Sequence, residues 1–110
     1  MAAVPVLPPG AETVARELFA ALARKRDAAA SVPVVERLLA LGPEALPVAR
    51  AELASSHLPT LLAAARVCLI GGASAERAAV AERLTRPLPA EAAAPLLGEF
   101  LASDPMLGSP

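Results

Sequence analysis

Residues 38–53, LLALGPEALPVARAEL, constrain this chain more than any other stretch, because a glycine and a proline stand side by side between two apolar runs at helical spacing. Gly42 falls where a helix C-terminus favours a residue without a Cβ, free to take positive φ. Pro43 follows where a preset φ suits the start of a helix and no intrahelical hydrogen bond is lost. Val35, Leu38 and Leu39 form the stripe before this turn, and Leu46, Ala49 and Leu53 recur at i, i+3 and i+7 after it. Two helices joined by so short a connection are expected to face each other as antiparallel neighbours. Pro47, one turn into the second, predicts a tightened or slightly kinked start.

Composition extends this pattern along the chain. The hydrophobic content of 55% is mostly Ala and Leu, with Phe19 and Phe100 the only aromatics, and such side chains favour close-packed helices over sheet. Twelve prolines would argue against helices if scattered through them, but most stand at helix starts, in turns or in the terminal stretches. Periodicity predicts an all-α domain over 11–103 of about six helices, near 11–26, 32–41, 43–54, 58–70, 75–86 and 90–103. An extended arm over 1–10 precedes it and a flexible Gly/Ser/Pro tail over 104–110 follows. At 110 residues the chain can bury roughly two-thirds of its unfolded surface, enough for one self-standing core.

Within these helices the sequence predicts which faces turn inward. In the first, Val14, Leu18, Ala21 and Leu22 oppose an outer face with a Glu12/Arg16 pair; in the fifth, Arg77, Val80, Ala81 and Leu84 line one side and Glu82 pairs with Arg86 on another. The widest stripe, Leu58, Leu61, Leu62, Ala65, Cys68 and Leu69, makes the fourth helix the central one. Ser31, either of Ser55 and Ser56, and Ser74 are the expected N-caps. Pro95 should kink the sixth helix or split it.

Charge and cysteine content exclude several classes. A formal charge of −1 provides no field to hold nucleic acid or an anionic membrane. Residues 58–75, the most apolar stretch, are interrupted by Arg66 and end in a Gly71-Gly72 turn, short of a bilayer span. One cysteine, Cys68, cannot form an internal disulfide, and residues 1–10 lack the basic and apolar regions of a signal peptide, so a cytoplasmic location is expected.

No catalytic constellation, metal-ligand cluster or cofactor loop stands out. His57 is the only histidine and reads as a solvated turn residue. Cys68 has leucine neighbours that should raise its thiol pKa and make it inert. Gly71-Gly72-Ala73-Ser74 opens a helix but lacks the lysine and spacing of a phosphate-binding loop. Arg24, Lys25 and Arg26 form the one charge run, in the last turn of the first helix, where the dipole favours cations, or offering a dock for an acidic partner. Arg66 must snorkel, find a carboxylate such as Glu36 or Glu99, or line a binding surface. Leu97, Phe100 and Leu101, beside Gly98 in the sixth helix, span more than one face and form a candidate contact through which the chain could pair with itself or another protein.

Superposing the turn at Gly42 on that at Gly71, 29 residues later, aligns LLALGPEALPVARAEL with VCLIGGASAERAAVAERL, each second helix closing on a leucine. On these residues the chain, over 32–86, resembles the short bacterial HEAT-like repeats of the phycobilisome-lyase type. The Asp common after the turn glycine in that family is here Pro43 in one unit and Gly72 in the other. The resemblance implies a short HEAT-like α-solenoid, with a compact six-helix bundle as the other architecture the pattern allows. Stacked hairpins with no chemical site imply a non-enzymatic scaffold or protein-interaction module with a protein partner and no nucleic acid. The alternative is a bundle holding an apolar small molecule between Ala/Leu-rich helices.

Overall fold

The computed structural model of the chain describes residues 10–102. They form an all-α fold of six α-helices: α1 (Ala11–Leu22), α2 (Ser31–Ala40), α3 (Leu46–Glu52), α4 (Leu58–Gly71), α5 (Ser74–Leu84) and α6 (Ala90–Ala102). Short 3-10 turns at Ala28–Ala30 and Pro43–Ala45 precede α2 and α3. Most of the expected arm and all of the expected tail lie outside the described residues.

Gly42 takes φ +85° and ψ −163°, the mirror-image extended region that is almost exclusive to glycine. Pro43 then opens the 3-10 turn, and Pro47 sits in the first turn of α3, so the tightened start is a full 3-10 turn. The face-to-face hairpin is not formed. α2 and α3 scarcely touch along their lengths, because both pack extensively on α4. The extended backbone at Gly42 and the 3-10 turn splay the two helices, and α4 takes the place each was expected to offer the other.

α4 is central, as its stripe predicts. Nine of its 14 residues are buried, on all sides of the helix, and α1, α2, α3, α5 and α6 all contact it. Neighbouring contacts give the helix directions. Leu39 near the end of α2 and Leu46 at the start of α3 both lie beside Gly71 at the end of α4, so α2 runs parallel to α4 and α3 runs back. Arg83 at the end of α5 meets Leu53 at the end of α3, and Leu22 at the end of α1 meets His57 just after α3. Arg77 early in α5 meets Phe100 late in α6. The result is two layers: α2, α4 and α6 run one way, and α1, α3 and α5 the other.

Several local expectations are corrected. α1 stops at Leu22, four residues early, because Asp27 captures the Ala29 N–H at 2.9 Å and starts a new turn. Arg24, Lys25 and Arg26 therefore lie beyond the helix and not in its last turn. The inward face of α1 is Ala15, Phe19 and Leu22, while Ala21 is exposed. Ser31 is no N-cap; it is buried and its hydroxyl donates to the Ala28 carbonyl at 2.7 Å. His57 caps α4, with Ser55 Oγ accepting from the His57 N–H at 3.0 Å. Ala73 caps α5, its N–H donating to the Glu76 carboxylate at 2.8 Å, with Ser74 inside the helix. Pro95 does not split α6, which runs unbroken with the proline on its exposed side, where water can take the carbonyl left without a donor.

Candidate functional site

Among the described residues the large apolar side chains that remain exposed are Val32, Ile70, Leu97 and Leu101, and all four belong to the α2/α4/α6 layer. The α1/α3/α5 layer instead exposes charge: Glu12 pairs with Arg16 at 2.6 Å on α1, and Glu82 with Arg86 at 2.7 Å where α5 ends. The exposed large apolar side chains of the described residues thus lie in one layer, although that layer also exposes Glu36 and Arg37 on α2 and Glu91 on α6.

α6 is the terminal helix of its layer and has two apolar faces. Ala92 and Leu96 are buried against α4 and α5, with Phe100 half-buried against the same core. Leu97 and Leu101 point the other way and keep 49% and 46% of their surface exposed. Phe100 does not share that outer face. The Arg77 guanidinium lies 4.2 Å from its ring centroid and Nη2 donates to its carbonyl at 3.2 Å, so the ring is covered by its own chain. Of the three expected contact residues, the structure brings Leu97 and Leu101 together at the surface and directs Phe100 inward.

Arg66 finds one of its two expected carboxylates. Nε lies 3.2 Å from Glu99 Oε1, tying α4 to α6, and Nη1 reaches Ser31 Oγ at 3.5 Å on α2. This half-buried guanidinium bridges all three helices of the layer. Arg24, Lys25 and Arg26 are exposed, and Lys25 helps line an apolar groove of about 220 Å³ between α1 and α2, with Ala21, Leu22, Ala30, Pro33 and Val34.

The most buried cation is one the sequence did not single out. Arg83 is 7% exposed, and its guanidinium donates to the carbonyls of Leu53 at 2.6 Å, Pro87 at 3.0 Å and Ser55 at 3.4 Å. Glu76 is also buried on α5, with Arg50 of α3 at 3.6 Å. The inward face of α5 is therefore Glu76, Val80 and Arg83, one step round from the expected Arg77/Val80/Ala81/Leu84 face. Spacing carried the signal, since 76, 80 and 83 recur at i, i+4 and i+7, but two charged residues among three masked it. Arg50, Arg83, Arg86 and Glu82 line a cleft of about 150 Å³ between α3 and α5, its apolar wall made by Leu53, Ala54 and Ala79.

His57 is not simply solvated. It is half-buried, and Nε2 lies 3.3 Å from the Leu22 carbonyl, to which it donates in the tautomer protonated there. Cys68 is buried on α4; desolvation, reinforced by the Glu76 carboxylate and opposed by Arg50, pushes its thiol up to about 12. Among the described residues no group of three or more His, Cys, Asp or Glu side chains is placed to hold a metal ion, and no helix is long and apolar enough to cross a membrane. Comparison with protein-family models, with curated proteins and with solved structures finds no match to this chain.

Proposed function

We propose that this chain is a non-enzymatic helical interaction module that binds another protein chain through the outer face of α6. One observation carries the reading: Leu97 and Leu101 lie exposed on a helix whose other face already fills the core, so their apolar surface serves no packing within the fold. Of the two carboxylates on α6, Glu99 is taken up by Arg66 and Glu91 stays exposed in the first turn, more than a turn before Leu97. A HEAT-like stack belongs to the same proposal. Its support is the two-layer order in which α2, α4 and α6 adjoin in sequence and α1, α3 and α5 do likewise, an arrangement that ends in an open helix edge. A cytoplasmic setting fits a chain with a single, buried thiol.

The apolar-ligand alternative has one observation behind it, the groove between α1 and α2. At about 220 Å³ it is smaller than the roughly 300–1,000 Å³ of ordinary small-molecule pockets. Affinity capture with wild-type protein and the Leu97→Glu/Leu101→Glu variant tests the main reading. Partners should be retained by the first and lost by the second, with helical circular dichroism unchanged. Equal recovery by both would overturn it.

A further inference from the structure

The outer face of α6 has a finer pattern than exposure alone. Ala90, Ala94, Leu97 and Leu101 are spaced by four, three and four residues, the spacing of a two-helix seam, and all four are exposed. Ala93 and Gly98 flank the seam and are exposed too. Gly98 has no use within the fold: its φ is not positive, and a methyl group in place of its hydrogen would meet nothing within 4 Å. Glycine is a poor helix former, and here it keeps the helix surface low beside two leucines.

From this pattern, resting on the interaction reading above, we infer that α6 pairs with α6 of a second copy as an antiparallel two-helix seam, Leu97 of each copy over Ala94 of the other and Leu101 over Ala90. In an antiparallel pair the seam positions face each other so that the two numbers in each layer have one total, and on this helix that places a leucine over an alanine in every layer. A parallel pair would set leucine on leucine and alanine on alanine, leaving gaps at one end. Charge also selects the occupant. The opposite end of the stack, α1, exposes Glu12, Arg16 and Glu17, so head-to-tail stacking would desolvate those groups against leucine, whereas pairing α6 with itself leaves both charged ends in water and puts only Glu91, the exposed carboxylate of α6, at the edge of the seam. Area sets the strength. A 13-residue helix is about 20 Å long, and one face of it falls short of the roughly 800 Å² per partner of a stable dimer. Association is therefore weak and reversible.

Sedimentation equilibrium of the whole chain from low micromolar to millimolar concentration should show mass rising towards twice the monomer, and Leu97→Glu should hold the monomer throughout, with the melting temperature of the wild type at low micromolar concentration, where both are monomers. Cysteine cross-linking reads the register, with buried Cys68 staying out of the reaction. An equimolar mixture of the Ala90→Cys and Leu101→Cys variants should oxidise to the mixed dimer, while Ala90→Cys alone should not, because its two copies would sit about 16 Å apart along the seam. Efficient self-linking of Ala90→Cys would overturn the antiparallel register. A monomer at every concentration would overturn the second copy as occupant; the interaction reading would then stand or fall separately on whether Leu97→Glu/Leu101→Glu loses captured partners.

Discussion

Arg83 on α5 donates its Nε–H to the Leu53 carbonyl at the C-terminus of α3, 2.6 Å away, and so closes the negative end of one helix with a side chain from the next. The same guanidinium reaches Ser55 and Pro87, holding together the α3/α4 and α5/α6 connections. No carboxylate pairs with it within these contacts; carbonyl dipoles stabilise the charge.

Replacing Arg83 with Leu should therefore destabilise the protein by about 2–4 kcal/mol, since the carbonyls it serves lose a charged donor while the apolar substitute supplies none. Arg83→Lys should recover only part of this, because an ammonium cannot reproduce the planar fork that spans separate carbonyls. Urea midpoints at constant m-value measure both, and a loss below about 0.5 kcal/mol for the leucine variant would contradict a structural role.

The glycines of the two turns should respond to alanine for different reasons. At Gly42 there is room for a methyl group, so the cost of Gly42→Ala comes from its φ of +85° and should be about 1–3 kcal/mol. Gly72 has an ordinary φ of −95°, but a Cβ there would clash with the Cys68 carbonyl and the Glu76 side chain, well inside van der Waals contact. Gly72→Ala must displace backbone and should also cost about 1–3 kcal/mol. Gly71→Ala presses on the tip of Leu39 and merely touches that of Leu46, so it should cost less than Gly72→Ala. Thermal melts of the three variants give the order.

Cys68 should make stability fall in alkaline solution. Its folded pKa of about 12 stands above the ordinary 9.0, so the unfolded chain releases the thiol proton over a range where the folded chain retains it. The contribution is complete below about pH 9 and is lost as pH rises towards about 12, by at most about 1.4 kcal/mol per pH unit. The background is low, with no tyrosine and Lys25 as the only lysine, itself exposed. Urea midpoints from about pH 8 to about pH 11 should slope downwards for the wild type and more gently for Cys68→Ala.

Much of this fold was legible because apolar spacing and turn residues agreed. Gly42 required a positive φ, the stripe from Leu58 to Leu69 marked α4 as central, and a lone arginine among apolar neighbours pointed Arg66 to Glu99. What escaped did so for separate physical reasons. On α5 the buried face carries Glu76 and Arg83, whose charges are satisfied by backbone groups distant or near in sequence, and a hydrophobicity reading rotates such a helix the wrong way. On α1 the small residues are too uniform to orient it, so Phe19 and Ala15 were displaced by Ala21. The serine caps differ from turn to turn: Asp27 takes a free N–H before α2 and Glu76 one before α5, while at α4 Ser55 accepts from His57, the cap residue itself. Leu97 and Leu101 were readable as apolar surface, but the inward turn of Phe100 beneath Arg77 depended on a contact across 23 positions of sequence.

α4 offers two substitutions of opposite sign within one turn. Leu62 is 3% exposed at the heart of the core, so Leu62→Ala should cost about 2–5 kcal/mol through lost burial and the cavity left behind. Ile70→Ala, on the same helix but 62% exposed, should change stability by less than about 0.5 kcal/mol beyond helix propensity. Thr60 is buried like Leu62, yet its Oγ1 finds no hydrogen-bond partner within the structure. Valine has nearly the same shape and the same branched Cβ, so Thr60→Val keeps the packing and removes an unsatisfied hydroxyl; it should stabilise the protein by about 1 kcal/mol. Denaturant titration of the three variants under one set of conditions gives their order, and a Thr60→Val variant less stable than wild type would mean that the hydroxyl is satisfied, by water or by a backbone carbonyl of the preceding turn.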